Sequence, residues 1–106
     1  FAYNRQLDLP VRICRLFNTV GPRQIGKYGM VLPRFVESII AGTPPQVYGD
    51  GKQTRCFCDV RDAVNAIILL SHTESAIGDV YNIGSETEIS IHELAKLVNK
   101  VLGGPI

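Results

Sequence analysis

The chain has 106 residues, 45% of them hydrophobic and 20% charged, with 11 Lys and Arg against 10 Asp and Glu. That length bounds it to a single segment with a modest core, and the composition excludes the disordered, fibrous and low-complexity classes. A formal net charge of +1 with scattered arginines gives no basic face for nucleic acid or membrane, and no apolar run approaches the roughly 20 residues that span a bilayer.

Residues 1–7 read as the end of a helix closed by Asp8-Leu9-Pro10, because proline disfavours helical geometry in the residue before it. The start carries no Met, basic region or signal core and reads as interior to a longer protein. Residues 11–17 (Val-Arg-Ile-Cys-Arg-Leu-Phe) predict an interior strand near its polar end. A loop is predicted over 18–29, long enough that loop statistics favour a functional role.

Residues 30–41 carry Val31, Leu32, Phe35, Val36, Ile39 and Ile40 at helical spacing, with Pro33 tolerated in the first turn; Gly42-Thr43-Pro44-Pro45 ends that helix. Residues 46–48 and 54–60 are predicted as two short extended segments joined by Gly49-Asp50-Gly51, since Asp-Gly is a strong tight-turn signal. Asp59 is placed to cap a helix over 61–71. The narrow polar face of that helix, Arg61, Asp62 and Asn65, predicts that it is largely buried.

Residues 79–83 alternate as a strand and stop at Gly84-Ser85. Ser90-Ile91-His92-Glu93 is a capping box. It opens a helix with Ile91, Leu94, Ala95, Val98, Val101 and Leu102 on one face, and Gly103-Gly104-Pro105 terminates it. Alternation of this kind indicates an α/β architecture. Two apolar strands and two short ones cannot make a doubly covered parallel sheet, so part of the sheet is expected to lie outside the chain.

Cys14, Cys56 and Cys58 lie in apolar runs, and Cys56 and Cys58 would share one face of a strand. A zinc site would want a fourth ligand and wider spacing. They read as small buried hydrophobes in a reducing compartment, which places the protein in the cytoplasm. No nucleophile elbow, Walker loop, zinc signature or dinucleotide glycine fingerprint occurs. His72, at a helix end, and His92, in the first turn of a helix, read as structural or solvated.

Chemistry is better carried by two polar loops. After Phe17, Asn18 offers an amide that both donates and accepts, Gly21 permits close backbone approach and Arg23 can reach an anion; backbone requirements explain Asn18 and Gly21 equally well. Arg55, inside an otherwise apolar Thr-Arg-Cys-Phe-Cys run, reads as half-buried and needs a partner. That partner is either a ligand phosphate or a carboxylate such as Asp59 or Asp62. Tyr48 offers an aromatic face for a base, although core packing is the commoner fate. Seven of the eleven basic residues are Arg, which suits phosphate contacts or fixed ion pairs. Together the loops suggest a site for a phosphorylated small molecule.

Three motifs then come in one order: Arg15-x-Phe17-Asn18-Thr19-x-Gly21-Pro22-Arg23; Val47-Tyr48-Gly49-Asp50-Gly51-x-Gln53-x-Arg55 with Asp62; and Tyr81-Asn82-Ile83-Gly84. In these, and up to about Leu102, the chain resembles the C-terminal substrate-binding portion of the NAD-dependent epimerase/dehydratase family. These are the extended short-chain dehydrogenases acting on nucleotide sugars, and the likeness is to a UDP-glucose 4-epimerase. The resemblance implies an α/β, Rossmann-related fold lacking the N-terminal dinucleotide-binding half. Residues 1–106 would form a single nucleotide-sugar-binding segment with the last strands of the Rossmann sheet.

It further implies that Asn18 contacts the sugar or its diphosphate, Arg55 binds the diphosphate, Val47 and Tyr48 flank the uracil and Val31 helps close the pocket. Phe17 and Thr19 would lie near the nicotinamide of NAD. The family's glycine motif is missing, and neither Tyr3 nor Tyr28 has a Lys four residues on; the chain is therefore expected to lack the Tyr-x-x-x-Lys catalytic pair and to be inactive alone. Cys56 stands where the family often has Asp, which would alter how Arg55 is oriented. The implied partners are a UDP-sugar, the absent Rossmann domain and a second copy in a homodimer, with no nucleic acid and no membrane. The activity implied for the parent is UDP-hexose 4-epimerisation; the alternatives are a UDP-glucuronate decarboxylase or other nucleotide-sugar dehydratase, and a non-catalytic nucleotide-binding or interaction module.

Overall fold

The computed structural model describes residues 1–26 and 30–104. Its elements run α1 (Ala2–Leu7), β1 (Ile13–Leu16), β2 (Thr19–Val20), α2 (Val31–Ile40), β3 (Thr54–Cys56), β4 (Cys58–Asp59), α3 (Val60–His72), a 3₁₀ turn (Glu74–Ala76), β5 (Val80–Ile83), β6 (Glu88–Ser90) and α4 (Ile91–Leu102). Two compact units result: Phe1–Gly21 with Phe57–Glu86, and Pro22–Cys56 with Thr87–Ile106. Lys27, Tyr28 and Gly29 of the expected loop, and Pro105 of the expected helix stop, lie outside the described residues.

In the first unit α1 ends where expected. Asp8 takes a left-handed conformation with φ 51°, and Leu9-Pro10 follows. β1 pairs in parallel with β5, Ile13 opposite Val80 and Leu16 opposite Ile83, and Phe17 N extends the ladder by donating to the Ile83 carbonyl at 3.0 Å. The chain then turns at Asn18 and enters β2, which pairs in parallel with β4. The predicted loop therefore opens with a strand, one too short for side-chain alternation to signal.

Cys58, Ala63 and Ile83 form the buried cluster of this unit, with Cys14 and Ala66 packed against it. Asp59 caps α3 as expected, its Oδ1 accepting from Arg61 N at 2.8 Å. The expected burial of α3 does not hold: only Ala63 is buried, and Val64, Ile67, Ile68 and Leu69 are exposed. Two short parallel ladders cover one stripe of the helix, and no second layer of this unit covers the rest among the described residues.

The second unit is built on two helices. α2 buries Pro33, Phe35 and Ile39 and packs against α4, which buries Ile91, Leu94, Ala95, Val98 and Asn99. The capping box is complete: Ser90 Oγ accepts from Glu93 N at 3.1 Å, and Glu93 Oε2 accepts from Ser90 N at 3.2 Å. Gly103 then takes the left-handed cap, φ 66°. Val101 and Leu102, expected on the buried face, are exposed, Val101 at 75%, because the packed stripe ends at Asn99.

The turn at 49–51 forms, with Gly49 and Gly51 at φ 66° and 71° and Asp50 Oδ1 accepting from Lys52 N at 2.9 Å. Its flanks do not pair with each other. Residues 46–48 are not a strand, and β3 pairs antiparallel with β6, Thr54 opposite Ser90. Ile91 N and His92 N continue that contact by donating to the Gln53 and Gly51 carbonyls at 3.0 and 2.9 Å. Cys56 and Cys58, expected on one strand face, stand on β3 and β4, strands of different units.

Candidate functional site

The sequence-predicted residues divide between the units. Phe17, Asn18 and Thr19 belong to the first; Val31, Val47, Tyr48 and Arg55 belong to the second. Each group is held in place by local chain geometry.

In the first unit the three residues occupy the passage from β1 to β2. Asn18 has φ 43°, a left-handed conformation in which Asn is several-fold enriched among non-glycine residues. Its carbonyl accepts from Cys58 N at 3.0 Å, while its side chain is exposed. Phe17 is about half exposed and lies beside Gly84, where a Cβ would come within 3.3 Å of Phe17 Cβ. A glycine there lets the aromatic ring lie close to the backbone with one side open. Gly21, for which close approach and a backbone requirement are equal readings, lies against Val60: a Cβ on Gly21 would collide with Val60 Cγ1.

In the second unit Val31 opens α2 and is partly exposed. Val47 packs near the turn, where a Cβ on Gly51 would meet Val47 Cγ1 at 2.9 Å and His92 Cβ at 3.0 Å. Tyr48 is 57% exposed and does not pack in the core. Gln53 Nε2 donates to its carbonyl at 3.2 Å, and Arg34 Nη2 donates to its hydroxyl at 3.1 Å. Arg34 is the residue that the sequence reading missed; its only sequence signal is a cation on the polar side of an amphipathic helix.

Arg55 is exposed, which corrects the expectation of a half-buried guanidinium. Its Nη1 donates to the carbonyl of its own neighbour, Thr54, at 2.7 Å. Asp59, one of the partners considered for it, is held by Arg61 at 2.7 Å. Those hydrogen bonds, first from the Arg61 side chain and then from its backbone N–H, lower the Asp59 pKa from 3.8 to about 2. Tyr48 and Lys52 also stand at Tyr-x-x-x-Lys spacing. They flank a turn and not a helical step, so the i, i+4 alignment that the spacing produces on a helix is absent.

A cleft of about 500 Å³ in the second unit is lined by Pro45, Val47, His92, Lys96 and Lys100, among others. Among the described residues no group of three or more His, Cys, Asp or Glu side chains is placed to hold a metal ion, and no helix is long and apolar enough to cross a membrane. An exposed arginine, an exposed tyrosine fixed at both ends and a turn of positive-φ glycines suit an anionic aromatic ligand.

The family model for the NAD dependent epimerase/dehydratase family matches residues 1–84. The chain belongs to that family. It is 49% identical over 94 residues to a UDP-N-acetyl-alpha-D-glucosaminuronate decarboxylase of Bacillus cytotoxicus, covering 88% of this chain and 29% of the relative. It is 37% identical over 103 residues to UDP-glucuronic acid decarboxylase 1 of Xenopus tropicalis, covering 97% and 24%. Among solved structures, the epimerase Mth375 of Methanothermobacter thermautotrophicus superposes with a TM-score of 0.92 at 30% identity, over 98% of this chain and 31% of that one. The UDP-glucuronic acid 4-epimerase of Bacillus cereus, solved with UDP-glucuronic acid and NAD, superposes at 0.86 and 30% identity, over 98% and 33%. The chain thus spans about a quarter to a third of the length of these relatives.

The α/β architecture is accordingly that of a segment of the extended short-chain dehydrogenase fold. One expectation is corrected. The family match falls on residues 1–84 and does not reach Leu102; the reading as the C-terminal portion of such an enzyme does not stand.

Proposed function

We propose that this chain contributes nucleotide-sugar-binding residues to an NAD-dependent enzyme that decarboxylates a UDP-hexuronate. The observation that carries the reading is the 49% identity to a UDP-N-acetyl-alpha-D-glucosaminuronate decarboxylase, supported by the UDP-glucuronic acid decarboxylases of Xenopus tropicalis and Arabidopsis thaliana. These favour the decarboxylase alternative over UDP-hexose 4-epimerisation.

The chemistry fits a hexuronate. Oxidation at the sugar C4 hydroxyl, which NAD supplies when bound, places a ketone β to the C6 carboxylate, and a β-keto acid loses carbon dioxide readily. For this chain the relevant work is positioning. In the second unit Arg55, whose guanidinium is exposed, holds the diphosphate through charge-assisted hydrogen bonds, Val47 and Tyr48 bound the base and Val31 helps close that pocket; in the first unit Asn18 offers an exposed amide. The open side of Phe17 beside Gly84 fits a nicotinamide ring, with Thr19 next to it.

The test is a proton–nitrogen correlation spectrum of this chain titrated with UDP-glucuronate. Shifts at Asn18, Tyr48 and Arg55 are expected, and Arg55→Ala should weaken binding about tenfold, the loss of one charge-assisted contact. A spectrum unresponsive to UDP-glucuronate would count against the reading.

A further inference from the structure

Tyr48 is fixed at three points, and the third comes from a residue that no family motif of this chain includes. Its backbone carbonyl accepts from Gln53 Nε2 at 3.2 Å. The segment after it is tied to α4, with Gly51 and Gln53 carbonyls accepting from His92 N and Ile91 N. Its hydroxyl accepts from Arg34 Nη2 at 3.1 Å, while Arg34 Cζ stands 5.7 Å from the ring centroid. That distance is within cation–π range, so Arg34 engages the ring as well as its hydroxyl, and Tyr48 remains 57% exposed.

An exposed tyrosine ordinarily samples several rotamers, and ordering it on binding has an entropic cost. Here the guanidinium at the hydroxyl removes that freedom beforehand. Arg34 also adds positive charge beside a ring that stays largely exposed. Such an arrangement suits an aromatic ligand that carries negative charge, as a nucleoside diphosphate does.

We infer that Arg34 is a positioning residue that holds the Tyr48 ring as a preformed platform for a pyrimidine base. The inference rests on the nucleotide-sugar reading above and adds to it the residue that orients the base-binding side chain.

The experiment uses the 106-residue chain and two probes, UDP and inorganic pyrophosphate, followed by the same correlation spectra. Arg34→Ala should weaken UDP binding about three- to tenfold and leave the pyrophosphate response at Arg55 unchanged; Arg34→Lys, which keeps a cationic donor, should recover part of the loss. Tyr48→Phe removes the acceptor from the other side and should reproduce the Arg34→Ala effect, with no further loss in the double variant. It also keeps the test open if Arg34→Ala fails to fold. Unchanged UDP affinity in both single variants would overturn the inference, as would an equal loss of UDP and pyrophosphate binding, which would mean general damage to the unit. Failure of the unmodified chain to respond to UDP is seen before any substitution and would remove the nucleotide reading, and this inference with it.

Discussion

Asn18, Gly21 and Arg55 show how far a residue's chemistry can be separated from its backbone duty. Asn18 has a conformational reason to be Asn, since it sits at φ 43° between two strands; its side chain is exposed. Gly21 is explained by Val60 alone. Gly21→Ala should destabilise the chain by about 1–3 kcal/mol, the usual range for overpacking, and Val60→Ala should restore much of the loss. Urea unfolding of the two single variants and the double variant would check this, and additive losses would show that the two side chains do not compete for the same space. The apolar neighbours of Arg55 suggest burial, but a three-residue strand paired on one side leaves its guanidinium in water.

Caps decide the elements most directly. Asp59 and Ser90 were legible because a cap is a contact between residues two or three positions apart, so its geometry is contained in the local sequence. Asp59 also makes a pH prediction. Its folded pKa, about 2, lies below its ordinary 3.8, so its contribution to stability is present above about pH 4 and is lost as pH falls toward 2. Asp59→Asn keeps a capping side chain but removes the charge. It should flatten the stability profile between pH 4 and 2, as measured by thermal unfolding across that range; an unchanged acid limb would count against the assignment. Strands were less legible. The turn at 49–51 promised a hairpin, but β3 found β6, and residues 46–48 paired with nothing regular. A turn signal reports that the chain reverses, and long-range pairing then decides what lies beside each arm.

For the whole molecule, burial is thin. Among the described residues no large side chain is fully buried, the most enclosed being Ala76, Ala63 and Phe35, while Leu69 on α3 is 70% exposed. We expect a stability at or below about 5 kcal/mol, the lower end of the normal range; urea unfolding of the unmodified chain measures it, and a value well above 10 would contradict the packing described here.

The helices, their caps and the α/β class are legible in the amino-acid order, as is the family. The elements and their caps follow from periodicity and from contacts within a few residues, the family from the resemblance that the three motifs carry. Which strands pair, that α3 keeps an apolar face in solvent, that Arg55 is exposed and that Arg34 reaches Tyr48 across 14 positions emerge from the folded chain alone. Each depends on which distant segment comes alongside, and that is settled by chain-wide packing.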